Sequence, residues 1–326
     1  MHTRRAFLKH ASLLAAGFSP LAKTETGRAA ARAALLDRIG LGLFTIPTMV
    51  EKDFAGTMKV LASIGYKEIE TFGPYSWSAQ VAQDRWTVTS RSLTFKGSGY
   101  FGLAPAALRR ILDDNGLTSP SMHTDLDSLR TRLEPMSEAA RVLGQRYVVL
   151  PAIPANERQN LDGYRRMADT FNQIGAQAAK LGMRFKYHNH GYGLKPVDGI
   201  VPFELLVDRT DPAVVDLQMD LYWVTAGGAD PIAYLQRYKG RYKSLHVKDM
   251  AKRARFSGDG GDSSQWIALF PFIADAGRGV LDLPAILSAA KGVGVEHFFL
   301  ERDQTPTPDE TLRSSYTYLS SLSSVR

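Results

Sequence analysis

A chain of 326 residues, 44% apolar and 22% charged, is long enough to bury a sizeable core and is too ordinary in composition for a disordered or low-complexity protein. Its formal charge of +7 is concentrated at the N-terminus: residues 1–33 hold six Lys/Arg (Arg4, Arg5, Lys9, Lys23, Arg28, Arg32) against Glu25, which leaves the remainder near +2, without the clustered basic footprint that nucleic-acid binding needs. No run of about 18 apolar residues offers a stable membrane insertion, and the lack of cysteine excludes disulfide and thiol chemistry.

The first 33 residues read as an export signal. A charged start, Thr3-Arg4-Arg5-Ala6-Phe7-Leu8-Lys9, precedes a mildly apolar Ala11–Ala22 and small residues up to Ala34. The paired arginines before Phe-Leu-Lys resemble a twin-arginine signal, which implies a periplasmic protein cut between Ala22 and Ala34.

Beyond it, residues 37–326 read as a single domain in which strand and helix alternate. Ile39–Ile46 is expected as a buried strand, Lys52–Ile64 as a helix stopped by Gly65, and Lys67–Thr71 as the next strand, turned by Phe72-Gly73-Pro74. Residues 74–103 form a long aromatic-rich connection, and Ala104–Asn115 is a helix closed by Gly116. Strand Ser119–His123, helix Glu134–Leu143, strand Tyr147–Leu150 and helix Leu161–Leu181 lead to a strand over Met183–His190. Helix Pro202–Arg209, strand Val214–Asp220, helix Pro231–Arg237 and strand Tyr242–Lys248 follow. After a long loop come helix Leu283–Lys291, strand His297–Glu301 and helix Asp309–Ser320.

Eight strands, each followed by a helix, imply parallel pairing with right-handed crossovers, and so an α/β fold closed as a (β/α)8 TIM barrel. A doubly wound open sheet would carry a glycine-rich phosphate loop after its first strand, and none follows Ile46.

In such a barrel the site lies where the strands end. The ends carry Glu70, His123, His188 with His190, Asp220, His246 with Lys248, and Glu301, which takes in four of the chain's seven histidines. In Phe185–Gly193, FKYHNHGYG, strand alternation turns His188 and His190 to the same side, as metal ligands, as acid and base, or as a hydrogen-bonded core pair. Asp220 alone also reads as a helix cap or a lysine partner, and Glu301 as a partner of Arg302 or Lys248. Gathered at one mouth, these carboxylates and imidazoles would repel or desolvate one another unless a cation lay among them. Mixed nitrogen and oxygen ligands suit Mn2+, Co2+, Fe2+ or Zn2+ better than Ca2+.

The runs YHNHGYG, MDLYWVTAGGADPIAYLQRYKGR, LHVKDM and GRGVLDLPAILSAAKGVGVEHFFLERD resemble the sugar phosphate isomerase/epimerase group of the xylose isomerase-like barrels, with a likeness extending from Gly40 to Tyr318. The resemblance implies a divalent metal ion (Mn2+, Co2+, Fe2+, Mg2+ or Zn2+) held by His188, Asp220, His246 and Glu301. It also implies proton transfer beside a carbonyl of a carbohydrate through an enediolate. Glu301 is then ligand and base, with His190, Glu70 or Lys248 to move a proton or hold hydroxyls. His123, Asn189, Trp223 and Trp266 are expected against the substrate, although His123 reads equally as a core histidine.

Two positions depart from the pattern: His188 stands where many relatives have Glu, and Gly193 where close relatives have Glu. The aromatics Trp77, Trp86, Phe95, Tyr100, Phe101, Phe270 and Phe272 are further candidates for sugar stacking, and Ser257–Gly261 for a mobile lid.

A periplasmic isomerase or epimerase is therefore expected, acting on an unphosphorylated small-molecule sugar. The rival is a lyase or dehydratase that eliminates from a keto-glycoside or inositol derivative by the same enolate chemistry. A non-catalytic sugar-binding protein and an endonuclease remain as other classes. No nucleic acid partner is expected, and a homo-oligomer stays open.

Overall fold

The computed structural model describes residues 33–323, so the segment read as an export signal lies, up to residue 32, outside the described residues. Eight parallel strands close into a barrel: β1 (Gly40–Gly42), β2 (Glu68–Phe72), β3 (Thr118–His123), β4 (Tyr147–Leu150), β5 (Arg184–Asn189), β6 (Val215–Asp220), β7 (Tyr242–Val247) and β10 (His297–Leu300). The two remaining strands, β8 (Asp249–Met250) and β9 (Ile273–Ala274), pair antiparallel outside the barrel, after β7. Among the described residues no helix is long and apolar enough to cross a membrane.

Alternation within each strand sorts side chains into two sets. One set, including Ile69, Met122, Val148, Phe185, Leu217, Leu245 and Phe298, is buried with the helices in the main core. The other points into the barrel, where branched apolar residues usually fill the space. Here that space is polar and hydrogen-bonded, as buried polar groups must be. Low in the barrel His297 Nδ1 lies 2.8 Å from Glu68 Oε2, and Lys186 Nζ donates to Ser244 Oγ at 2.7 Å above the Tyr147 ring. Glu70, Ser121 and Gln218 form the next layer, in strand register with one another through Glu70↔Ser121 and with Ser244 through Gln218↔Ser244.

Helices start where the chain offers a cap: Asp53, Asn160, Asp230 and Asp282 each accept a backbone N–H of the first turn. The first strand is shorter than expected, because Leu43–Thr45 is a 3-10 turn and Pro47 opens a helix over Pro47–Lys52. The 74–103 connection holds a helix, Gln80–Thr89, whose single buried side chain, Ala82, leaves no apolar period to read. Nor is Ser257–Gly261 loose: Gln265 Oε1 accepts the Gly258 and Gly260 N–H groups at 2.8 and 3.1 Å, and Arg158 donates to the Gly261 carbonyl.

Candidate active site

At the C-terminal mouth a cavity of about 780 Å³ opens, with Glu70, His123, His188, His190, His246, Glu301 and Asp303 in its lining. Gly40 and Gly42 on β1 make the room for this: a Cβ at Gly42 would lie 2.7 Å from Glu301 Oε1, and one at Gly40 would meet the Phe299 ring at 2.5 Å.

The deepest carboxylate is Glu70. It accepts from Ser121 Oγ, from Gln218 Nε2 at 3.0 Å and from His246 Nε2 at 2.5 Å, and His123 Nε2 stands 3.0 Å away. Burial opposes its charge, yet the two flanking imidazoles hold it well below the usual carboxylate range. Burial likewise opposes charge on His246, but Glu301 and Glu70 on either side raise it to about 10.

His188 has the opposite setting. Its Nδ1 meets Gln218 Oε1 at 2.9 Å, and burial with three neighbouring imidazoles holds its pKa well below the ordinary value. With the proton on Nδ1, the lone pair of Nε2 faces Asp220 Oδ2 at 3.7 Å. Gln218 Oε1 also takes the His123 Nε2 proton at 2.7 Å, so one amide orients two rings.

Asp220 shows that capping and ligation are compatible. Oδ1 accepts the Trp223 N–H at 2.9 Å and caps the helix Leu221–Ala226. Oδ2 is buried with no hydrogen-bond partner, and so is His246 Nδ1. Lys248 Nζ lies 3.0 Å from Asp220 Oδ2 without hydrogen-bond geometry, and burial raises the Asp220 pKa despite that ammonium.

These atoms test the fit of a cation. Asp220, His246 and Glu301 bring ligand atoms within 4.8 Å of one another. His246 Nδ1 is 3.9 Å from Asp220 Oδ2 and 2.5 Å from Glu301 Oε2. Ligands about 2.1 Å from a tetrahedral ion stand about 3.4 Å apart. The separations of 3.7 and 3.9 Å from Asp220 match that spacing closely, and the Glu301 carboxylate has only to swing outward. Asp220, His246 and Glu301 thus form one donor group that suits a divalent ion of the transition series, while His188, grouped instead with His123 and His246, approaches it through Nε2, 3.7 Å from Asp220.

Three expectations need correction. Asn189 is turned away from the cavity, with Nδ2 donating to the Tyr192 carbonyl at 3.1 Å and Oδ1 accepting the Gly191 N–H at 2.6 Å. Trp223 is buried and stacks on Phe256 rather than lining the cavity. Lys248, expected to touch substrate, is 1% exposed and is held by Asp220, Glu301 and Asp303 at 3.0, 2.9 and 2.8 Å. Its charge acts through those carboxylates.

His190 and Trp266 do line the cavity. His190 lies one residue past β5, donates Nδ1–H to the Pro151 carbonyl and stacks on Trp266 at 5.1 Å between centroids. Burial and the nearby Lys248 charge lower its pKa to about 3, so it presents an unprotonated Nε2.

Gln218, Ser121 and Asp303 escaped the sequence reading. Gln218 precedes Asp220 by two residues and so shares its face, which is a usable signal. Asp303 lies beyond its strand, where periodicity is silent. Burial raises its carboxyl to about 6 in spite of Lys248.

The profile of the Xylose isomerase-like TIM barrel family matches residues 58–321. An inosose dehydratase of Clostridium beijerinckii is 35% identical over 92 residues, 28% of this chain and 30% of that protein. The chain thus spans less than a third of the curated relatives' length in these matches. A sugar phosphate isomerase/epimerase of Parabacteroides distasonis superposes with a TM-score of 0.65 at 22% identity, over 93% of this chain and 99% of that one. The IOLI protein with a binding zinc atom does so with 0.61 at 16% identity, over 86% and 95%. At these identities the two likenesses are of fold.

Proposed function

The chain belongs to the Xylose isomerase-like TIM barrel family, and on that premise we propose that it is a metal-dependent carbohydrate enzyme that moves a proton at the carbon beside a carbonyl, as a sugar isomerase or epimerase. The observation that carries the reading is the buried Asp220 Oδ2, which makes no hydrogen bond and lies beside Lys248, with His188, His246 and Glu301 of the cavity lining around it. A divalent cation bound there supplies a Lewis acid that polarises a carbonyl oxygen.

The chain's own residues supply the rest. Glu301 reaches the cavity with Oε2 held by His246 and Lys248, which leaves Oε1, on the Gly42 side, to take the proton. Asp303 also lines the cavity, with Oδ2 on Lys248 at 2.8 Å, and is the second carboxyl placed to return a proton at the other carbon. His190 Nε2 accepts a substrate hydroxyl, and the Trp266 ring stacked on it offers a flat face to the sugar C–H groups. Both guanidiniums in the lining are engaged, Arg85 with Asp127 at 2.7 Å and Arg158 with the carbonyls of Ile153 and Gly261. That favours an unphosphorylated substrate, in keeping with the periplasmic address read from residues 1–33.

Elimination is the second reading, favoured by the inosose dehydratase match. Incubation of the metal-loaded protein with ketoses, keto-glycosides and inosose in D2O separates the two. Isomerisation or epimerisation places one deuterium in an otherwise intact product, whereas elimination releases water or an aglycone. Absence of both solvent exchange and product across the panel would refute the enzymatic reading.

A further inference from the structure

The lining of the cavity gathers three aromatic rings on one side, and that patch bears on what the sugar is attached to. The reactive groups lie at or just past strand ends, and Trp266 stacks on His190 beyond β5. Across the mouth, above β1 to β3, Phe44, Phe72, Ala82, Trp86 and Leu126 form an apolar patch, edged by Arg85, Thr89, Thr124 and Asp125. Phe44 meets Phe72 edge-on at 5.1 Å between centroids, and Phe72 meets Trp86 at 6.1 Å, so the three rings form one continuous surface. Phe95 backs it, 5.8 Å from both Phe44 and Trp86. The Trp86 indole N–H is spent on the Lys96 carbonyl at 2.7 Å, which pins the ring and leaves only its hydrocarbon surface for a ligand.

Volume leads to the same place. A sugar ring of about twelve heavy atoms, granted even a water's share of about 30 Å³ for each, fills less than half of this cavity. The unfilled part is the part with the aromatic wall. Set against the three rings themselves, the hydroxyls of a second sugar would find neither donor nor acceptor, and leaving such hydroxyls unpaired is costly. A flat hydrocarbon ring loses nothing there and gains burial.

We propose that the substrate is a glycoside with an aromatic aglycone: its sugar lies over the ligand cluster against Trp266, and its aglycone lies against Phe44, Phe72 and Trp86. The proposal rests on the carbohydrate reading above and names the substrate class of the same site.

Isothermal titration of the zinc-loaded chain with phenyl D-glucopyranosides of both anomers, their methyl counterparts and cellobiose tests it without reliance on turnover. The phenyl glycoside is expected to bind on the order of tenfold tighter than the methyl glycoside and tighter than cellobiose. Trp86→Ala should cut the phenyl-to-methyl ratio to about threefold or less, while Trp86→Phe, which keeps a ring on the wall and guards against a folding defect, retains most of it. Equal phenyl and methyl affinities, tighter cellobiose, or a ratio indifferent to Trp86→Ala would overturn the aglycone assignment and leave the carbohydrate reading standing. Failure of all the sugars to bind would overturn both.

Discussion

Gln218 Oε1 lies 2.9 Å from His188 Nδ1, and this one contact decides which face of the imidazole is a ligand. The amide is itself held, its Nε2 donating to Glu70 at 3.0 Å and to Ser244 Oγ at 3.0 Å. Replacing Gln218 by Leu frees the His188 ring to rotate and to change tautomer. Loss of such an outer partner weakens metal affinity by about 10- to 100-fold. Competition against a chromophoric chelator measures it, and an unchanged affinity in a folded variant would remove His188 from the ligand set.

Asp220→Ala and His246→Ala should each abolish stoichiometric metal in purified protein, read by elemental analysis. Metal bound only by the native state stabilises it by about 2.7 kcal/mol at 100 times its dissociation constant. Added Zn2+ or Mn2+ should therefore raise the wild-type melting temperature and leave both variants unmoved. Full metal retention in both variants would refute the assigned site.

Gly42→Ala probes the Glu301 carboxylate without touching it. The new Cβ would lie 2.7 Å from Glu301 Oε1, so the carboxylate must shift, while the backbone of β1 tolerates alanine. Misplacing a reacting group by about 1 Å costs on the order of 100-fold in rate. Wild-type kcat/KM in this variant would mean that Oε1 takes no part in proton transfer.

The barrel was legible because parallel strands buried on both faces write an alternation with helices that survives every local exception. Strand ends were legible too, since Glu70, His123, His188, Asp220 and His246 are fixed by strand alternation alone. Direction beyond a strand end is set by other contacts. Asn189 was misjudged because alternation along β5 turns it to the face opposite His188, and Trp223 because the cap on Asp220 turns it from the cavity. Lys248 carried a charge whose partners, Asp303 among them, are brought to it only by the closed barrel.

Lys186 offers a test that is independent of metal and substrate. Its ammonium is fully buried against Ser244 Oγ and the Tyr147 ring, and burial lowers its pKa to about 8 despite the field of Glu70 and Asp216. An exposed lysine keeps its proton to about pH 10.4. Between these two values the unfolded chain binds more protons than the folded one, so this residue's contribution makes stability rise with pH across that window. Below pH 8 the cost of holding the charge is present in full, of order 3 kcal/mol. Lys186→Met removes the titrating group and keeps the apolar stem. The stability of the Met variant relative to wild type, from urea unfolding, should therefore be greatest near pH 7 and shrink by about 2 to 3 kcal/mol by pH 10. Because the buried tyrosines titrate alike in both chains, the difference isolates Lys186, and a difference that stays flat with pH would mean that its ammonium is solvated.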